Sequence, residues 1–158
     1  MRSDDRQHAV AGERPGIDPT DAAPPAPAVV SLDQPFDRDG LYALRSAVSA
    51  HASELGLHDR RLADLVLMAN ELASNVIRHG GGQGRLMLWR DESAVHCQVS
   101  DAGPGLIDPA NAGTTRVPLV ATDGRGLWIV RQLSDRFHVS SGPAGATLTV
   151  TVNLNHTP

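Results

Sequence analysis

The residues of this chain whose types and spacing suit chemistry lie in three short motifs. These are ELASN at Glu71–Asn75, DAGPG at Asp101–Gly105 and GRGL at Gly124–Leu127. The first places a carboxylate four residues before an amide, the second follows an acidic residue with a glycine loop, and the third brings a second pair of glycines. Hard oxygen ligands and glycines that admit a ligand to the backbone are what a nucleotide and its metal ion need. Together the motifs predict a site for ATP with Mg²⁺.

The first motif supplies candidates for metal binding and for proton transfer. Glu71 and Asn75 are four residues apart, so on a helix they point in the same direction. An amide oxygen is a suitable ligand for Mg²⁺, which usually keeps several waters and takes phosphate oxygens as its other ligands. Asn75 is therefore the predicted metal ligand, and Glu71 is the candidate catalytic base, because a nearby carboxylate can accept a proton from an attacking hydroxyl or water. A polar shoulder on an amphipathic helix is the alternative interpretation.

The second motif follows a strand-like alternating segment and supplies a candidate for base recognition. An ionised Asp101 can only accept hydrogen bonds, which suits the exocyclic amine of adenine. Gly103 and Gly105 allow a ligand to approach the backbone closely. An ordinary turn is the alternative, because Asp and Gly are the residues that turns prefer.

The third motif begins a helix and supplies candidates for phosphate binding. Amides in the first turn of a helix have no partner within the helix, and the helix dipole favours an anion there. Gly124, Gly126 and Leu127 are predicted to contribute these amides, and Arg125 to add a direct phosphate contact. A glycine-rich helix start that binds no ligand is the alternative.

Hydrophobic periodicity and turn residues predict the elements that must position these motifs. Their order is strand, helix, helix, strand, strand, long loop, helix, strand, strand. Strands that are adjacent in the chain favour antiparallel pairing, so the predicted fold class is α+β: a two-layer sandwich with a mostly antiparallel sheet and helices on one face. The predicted elements are a strand at Ala28–Leu32, helices at Asp37–Leu55, Asp59–His79 and from Gly124, and strands at Arg85–Arg90, Ala94–Ser100, Arg136–Ser141 and Ala146–Asn153.

Composition excludes several classes of site. The 158 residues are 41% hydrophobic, which suits one domain, and the net charge of −4 gives no electrostatic case for nucleic-acid binding. All 14 basic residues are Arg, so lysine-based nucleotide sites and Schiff-base chemistry are excluded. Cys97 is the single cysteine, and it is expected to be buried on the valine side of its strand rather than reactive. No apolar run approaches the ~18 residues of a membrane span and no signal-peptide pattern is present, which favours a cytoplasmic protein without a membrane partner.

The N-terminal segment differs in composition from the rest. Residues Met1–Pro27 contain five of the eleven prolines and few large aliphatic side chains. Such a segment buries too little apolar surface to order itself, so 1–27 is predicted to be a disordered tail and 28–155 the folded domain. A regulatory docking segment is the alternative for the tail.

The motifs carry a resemblance to a known group of ATP-binding domains. Glu71–Asn75, Asp101–Gly105 and Gly124–Leu127 resemble the N box and the two glycine boxes of the GHKL superfamily, whose members share the Bergerat-type ATP-binding fold. Gly145-Ala146-Thr147 resembles the last element of that superfamily, whose Thr assists adenine recognition, so the resemblance implies a role for Thr147. It covers roughly residues 28–153.

Within that superfamily, two longer segments are similar to the stand-alone anti-sigma factor serine/threonine kinases. These segments are ELASNVIRHG and GRGLWIVRQLSDRF. The resemblance implies a regulator of transcription that sequesters a sigma factor and phosphorylates Ser or Thr on an anti-anti-sigma (STAS-type) protein, with 107–123 as an ATP lid. Whether the chain forms a homodimer stays open.

Two other functions fit the same motifs. One is an ATP-binding regulatory module that sequesters a partner without phosphoryl transfer. The other is the catalytic half of a histidine kinase, which is disfavoured because the segment before Ala28 is too short and too rich in Pro to form a dimerising helical hairpin.

Overall fold

The computed structural model describes Pro24 and residues 30–79, 81–101, 125–142 and 145–154, and within them it has the predicted order of elements. A short 3₁₀ turn at Arg38–Gly40 precedes the first helix. The elements are β1 (Leu32–Asp37), α1 (Leu41–Glu54), α2 (Asp59–His79), β2 (Gln83–Arg90), β3 (Ala94–Ser100), α3 (Arg125–Leu133), β4 (Arg136–Gly142) and β5 (Gly145–Asn153). The predicted α+β fold is confirmed.

The five strands form one sheet in the order β1-β2-β3-β5-β4, and every neighbouring pair is antiparallel. Because successive side chains of a strand point to opposite faces, each strand contributes one set of side chains to the helices and one to the other side. The set that faces the helices is apolar, and with α1, α2 and α3 it makes a single core. The predicted two-layer arrangement therefore places all three helices on one face.

Helix α2 is the central element of the helical layer. Its stripe of Leu65, Met68, Leu72 and Val76 is completely buried, as the 3.6-residue periodicity of its sequence predicts. Cys97 lies in the same core, and burial raises the pKa of its thiol to about 12. The prediction that Cys97 is buried is confirmed.

The first strand was predicted in the wrong place. The apolar run at residues 28–32 favoured a strand, but the strand begins at Leu32 and pairs with β2 as far as Asp37. Pro35 lies inside it opposite Arg85, which is tolerated because β1 is an edge strand and needs no hydrogen-bond donor on its outer side. The helix predicted from Asp37 begins at Leu41 instead, after a 3₁₀ turn in which Asp37 Oδ1 accepts a hydrogen bond from the Gly40 amide at 3.1 Å.

A charged cluster fixes the beginning of α2 relative to the sheet. The Arg61 guanidinium donates to Asp135 Oδ2 at 2.5 Å and to the carbonyl of Asn153 at 2.8 Å. The same Asp135 oxygen accepts a hydrogen bond from the Asn153 amide at 2.8 Å. The cluster joins α2, the turn before β4 and the end of β5, and so ties the beginning of α2 to the sheet.

Among the residues that the structure describes, no helix is both long and apolar enough to cross a membrane.

The tightest backbone approach in the fold is at Gly84, which leads to a stability prediction. A Cβ there would lie 2.6 Å from Phe36 Cζ and 2.9 Å from both Val76 Cγ1 and the Ser100 carbonyl oxygen. Gly84→Ala is therefore expected to destabilise the fold by about 1–3 kcal/mol through overpacking, measured by urea unfolding. Gly40→Ala is the matched control, because its Cβ meets only Asp37 Oδ1 at an ordinary 3.6 Å. Equal stability of the two variants would contradict this account of the packing.

Candidate functional site

The predicted metal ligand and the candidate base lie side by side on α2. Glu71 and Asn75 are both partly exposed, while Leu72 and Val76 beside them are completely buried. They therefore stand at the border between the apolar stripe and the solvent, in the half of α2 that ends beside the sheet. Both side chains can therefore be reached by a ligand from the solvent.

Glu71 is in direct contact with the beginning of α3. A Cβ built on Gly126 would overlap the Glu71 Oε1 atom and lie 3.3 Å from its Cδ. Any residue other than glycine would consequently push the carboxylate away from the first turn of α3. The structure thus brings the ELASN and GRGL motifs together, and Gly126 is the residue that allows the approach.

The carboxylate lies at the end of α3 where an anion is favoured. The first-turn amides of a helix and its dipole attract negative charge. Leu127, the next residue of the motif, turns its side chain into the core and is 8% exposed, so its contribution to a ligand site is through its backbone. The arrangement therefore brings the first-turn amides of α3, a carboxylate and an amide side chain into one region.

Asp101 directly follows the last residue of β3 and lies opposite Ala146 of the neighbouring strand β5. Its amide donates to the carbonyl of Ala146 at 3.0 Å, which continues the pairing of the two strands by one residue. By strand alternation Asp101 falls on the same side of the sheet as Val99 and Cys97, which is the side of the helices. Its carboxylate is thus on the face where Glu71 and Asn75 lie.

Strand register separates Thr147 from this group. Ala146 and Leu148 belong to the core cluster on the helix side, so Thr147 between them faces the opposite side of the sheet. The residue that stands beside Asp101 on the helix side is Ala146, which carries no hydrogen-bonding group. The motif pattern did not reveal this, because only the register of β3 and β5 decides which of two consecutive residues faces the helices.

The remaining predicted site residues lie wholly or partly outside the described residues. Gly103, Gly105, Gly124 and the predicted lid at 107–123 have no described placement, and Arg125 is described only as the first residue of α3.

The described residues fit a magnesium ion only if waters and nucleotide phosphates supply most of its ligands. Within the described ranges there is no group of three or more His, Cys, Asp or Glu that would enclose a metal. Mg²⁺ commonly binds through one or two protein oxygens together with waters and substrate phosphates. The side-chain oxygen of Asn75 suits that kind of ligation, so the residues present are compatible with a metal that arrives with its nucleotide.

The position of Asp101 leads to a prediction on nucleotide choice. Asp101→Asn keeps the size of the side chain but places a donor where an acceptor is required, and a mismatched buried polar group costs about 1–3 kcal/mol. The expected result is a loss of ATP affinity of roughly one to two decades, measured by calorimetry. Asp33→Asn, on the edge strand β1, is the matched control. Equal competition by GTP and ATP in the unaltered chain would show that Asp101 does not read the adenine amine.

Comparison with known proteins connects this geometry to one family. Residues 35–152 match the sequence profile of the histidine kinase-like ATPase domain. No curated protein is similar enough in sequence to count as a relative.

Solved structures share the fold at low sequence identity. One contains the RsbU and RsbW domains of Rv1364c from Mycobacterium tuberculosis: the TM-score is 0.54 at 16% identity, and the match covers 77% of this chain but 31% of that one. Another is the mycobacterial sensor histidine kinase MprB, with a TM-score of 0.51 at 15% identity, covering 77% of this chain and 97% of that one. At these identities the similarity concerns the fold alone.

Proposed function

The chain belongs to the histidine kinase-like ATPase domain family, and from that premise we propose that it is an ATP-dependent protein serine/threonine kinase and anti-sigma factor. The observation that supports the proposal is the contact between Glu71 and Gly126, because it brings the carboxylate of α2 to the N-terminal end of α3, where a helix favours an anion. A base and a phosphate site in contact are what phosphoryl transfer to a hydroxyl requires.

The site residues divide the work by position. Asn75 would hold Mg²⁺, which supplies charge neutralisation on the phosphates. The first-turn amides of α3 would stabilise the negative charge of the transferred group. Glu71 would accept the proton of the attacking serine or threonine hydroxyl. At the same time the hydroxyl oxygen bonds to the γ-phosphorus of ATP, and the bond from that phosphorus to the leaving ADP breaks. Because phosphoryl transfer depends mainly on positioning and electrostatics, so small a set of groups is sufficient.

Base recognition is proposed at the other end of the site. Asp101 would accept the exocyclic amine of adenine at the edge of β3, on the helix side of the sheet. The side chain of Thr147 faces away from this side. Its proposed help in adenine recognition would therefore come from its backbone groups rather than from its hydroxyl.

The partners follow from the motif resemblance. ELASNVIRHG and GRGLWIVRQLSDRF support the branch that sequesters a sigma factor and phosphorylates an anti-anti-sigma protein of STAS type. We place this activity in the cytoplasm, where a transcription factor would be met. The proposed function is therefore that of an ATP-consuming switch in the regulation of transcription.

The test is phosphoryl transfer in the presence of the natural partners. Proteins retained by the full chain with ATP or ADP are recovered, and γ-labelled ATP with Mg²⁺ is then added. We expect label on a serine or threonine of a retained protein. A stable complex with bound ATP and no labelled partner would instead support the alternative, a regulatory module that sequesters its partner without transfer.

A further inference from the structure

The face of the sheet opposite α1, α2 and α3 carries a buried patch. It consists of five side chains that are each 1–3% exposed and that we call the outer patch: Trp89, Ala94, His96, Thr149 and Thr151. All five alternate with core residues along β2, β3 and β5, so they point away from α1, α2 and α3. An antiparallel sheet with helices on one side normally leaves its other side in water.

Neighbouring strands do not explain so complete a burial. Trp89 and His96 are a cross-strand pair with ring centroids 5.4 Å apart, so each ring shields one side of the other. Side chains next to a ring on a sheet cover its edges and leave its upper surface open. The rim around the outer patch is exposed as expected, with Arg85, Arg136 and Ser140 in contact with solvent. A limited region without exposure inside an exposed rim indicates that a further segment lies over it.

The His96 ring and the two threonine hydroxyls of the outer patch already have hydrogen-bond partners beside them, and Gln98 donates to Thr149. The ring nitrogens of His96 lie 2.8 Å from Asp91 Oδ2 and 2.9 Å from Thr151 Oγ1. Partial burial raises the pKa of the Asp91 carboxyl, but hydrogen bonds from His96 and from the Ser93 and Ala94 groups outweigh it and hold the pKa well below its usual range. Asp91 is thus an ionised acceptor for His96. Neither the His96 ring nor the threonine hydroxyls of the outer patch need a donor from whatever covers them.

The chemistry of the cover follows from this pairing. A segment with few hydrogen-bond donors and small apolar side chains fits best. Residues 21–29 have the sequence DAAPPAPAV, in which three prolines lack an amide hydrogen and four alanines are small and apolar. Pro-rich segments adopt an extended polyproline conformation that binds to aromatic surfaces such as the indole of Trp89.

The position of this segment in the chain puts the outer patch within its reach. The Ser31 amide donates to the carbonyl of Leu88 at 2.8 Å, so the chain enters β1 directly beside Trp89. From β1 to β5 the distance is three strand spacings, or about 14 Å. Pro24 precedes Val30 by six residues, which span about 19 Å in an extended polyproline conformation. Pro24 is itself partly buried, as a residue in contact with the sheet would be.

We propose that residues 21–29 bind across the outer patch and form a second layer on the side of the sheet opposite the helices. A tethered segment has a high effective concentration at a neighbouring surface, which favours it over a second copy of the chain. The sequence left two interpretations of the N-terminal region, a disordered tail and a docking segment. The proposal applies the second to residues 21–29.

Fluorescence of Trp89 tests the proposal in the full chain. The chain has two tryptophans, so Trp128→Phe leaves Trp89 as the single reporter. In this background, Pro24→Asp, Pro25→Asp and Pro27→Asp together put charges into the proposed contact. Ala9→Asp, Ala11→Asp and Pro15→Asp add the same charge outside it and serve as the control. We expect a red-shifted emission and a several-fold higher acrylamide quenching constant only in the first variant.

Two results would overturn the proposal. If both variants keep Trp89 as protected as in the parent, the segment does not cover it. If protection in the parent falls on dilution, together with a change in sedimentation, a second copy of the chain covers the outer patch instead.

Discussion

Glu71→Ala is expected to retain ATP affinity within a few-fold and to lose phosphoryl transfer by a factor on the order of 10²–10⁴. The reason is that a general base acts on the hydroxyl proton during the reaction and contributes little to binding of the nucleotide in the ground state. The measurement pairs calorimetry with ATP and Mg²⁺ with a transfer assay in which the partner serine or threonine is present.

Glu54→Ala serves as the control, because Glu54 is an exposed carboxylate at the end of α1 and away from the site. It should leave binding and transfer unchanged. Full transfer activity in Glu71→Ala would exclude Glu71 as the base. A loss of ATP affinity as large as the loss of transfer would assign Glu71 to nucleotide binding instead.

Gly126→Ala is expected to lower transfer by about 10²-fold, the size of effect that a displacement of about 1 Å of a catalytic group produces. The added Cβ would overlap Glu71 Oε1, and the flexible carboxylate is the part that can move. The fold should remain intact, since Ala is the better helix former by about 1 kcal/mol.

The decisive comparison for Gly126 is the double variant. If Gly126→Ala acts by displacing Glu71, it should add almost nothing to the loss already caused by Glu71→Ala. Gly40→Ala controls for a glycine-to-alanine change at another helix start, where the Cβ makes only an ordinary contact. Independent, multiplying losses in the double variant would contradict the contact as the cause.

Much of the fold followed from local patterns. The stripe of α2 and the paired strands β2 and β3 were predicted within two residues of their ends, because their periodicity agrees with the burial that the fold imposes. The first strand was misplaced, because the apolar run at residues 28–32 favoured it, whereas the observed strand contains Pro35, which is acceptable only because β1 is an edge strand. Edge position is a property of the whole sheet and is invisible in a local window.

The site was predictable in its components and less so in its contacts. The four-residue spacing of Glu71 and Asn75 fixed their common side on a helix. Contact of Glu71 with Gly126 joins residues far apart in the chain, and no short pattern reports such a distance. The orientation of Thr147 depended on register between β3 and β5, where a shift of one residue reverses the face. The buried outer face at Trp89 likewise had no sequence counterpart, since the same alternation fits an exposed face.

The proposed ATP site is formed by α2, the end of β3 and the start of α3, with Asn75 as the metal ligand. Calorimetric titration of ATP with and without Mg²⁺ into the unaltered chain and into Asn75→Ala tests it most directly. Ala favours the helix, so the variant should fold as the parent does. We expect saturable binding that Mg²⁺ strengthens in the parent, and a loss of that Mg²⁺-dependent gain in the variant. Equal Mg²⁺-dependent affinity in both proteins, or no ATP binding by the parent, would contradict it.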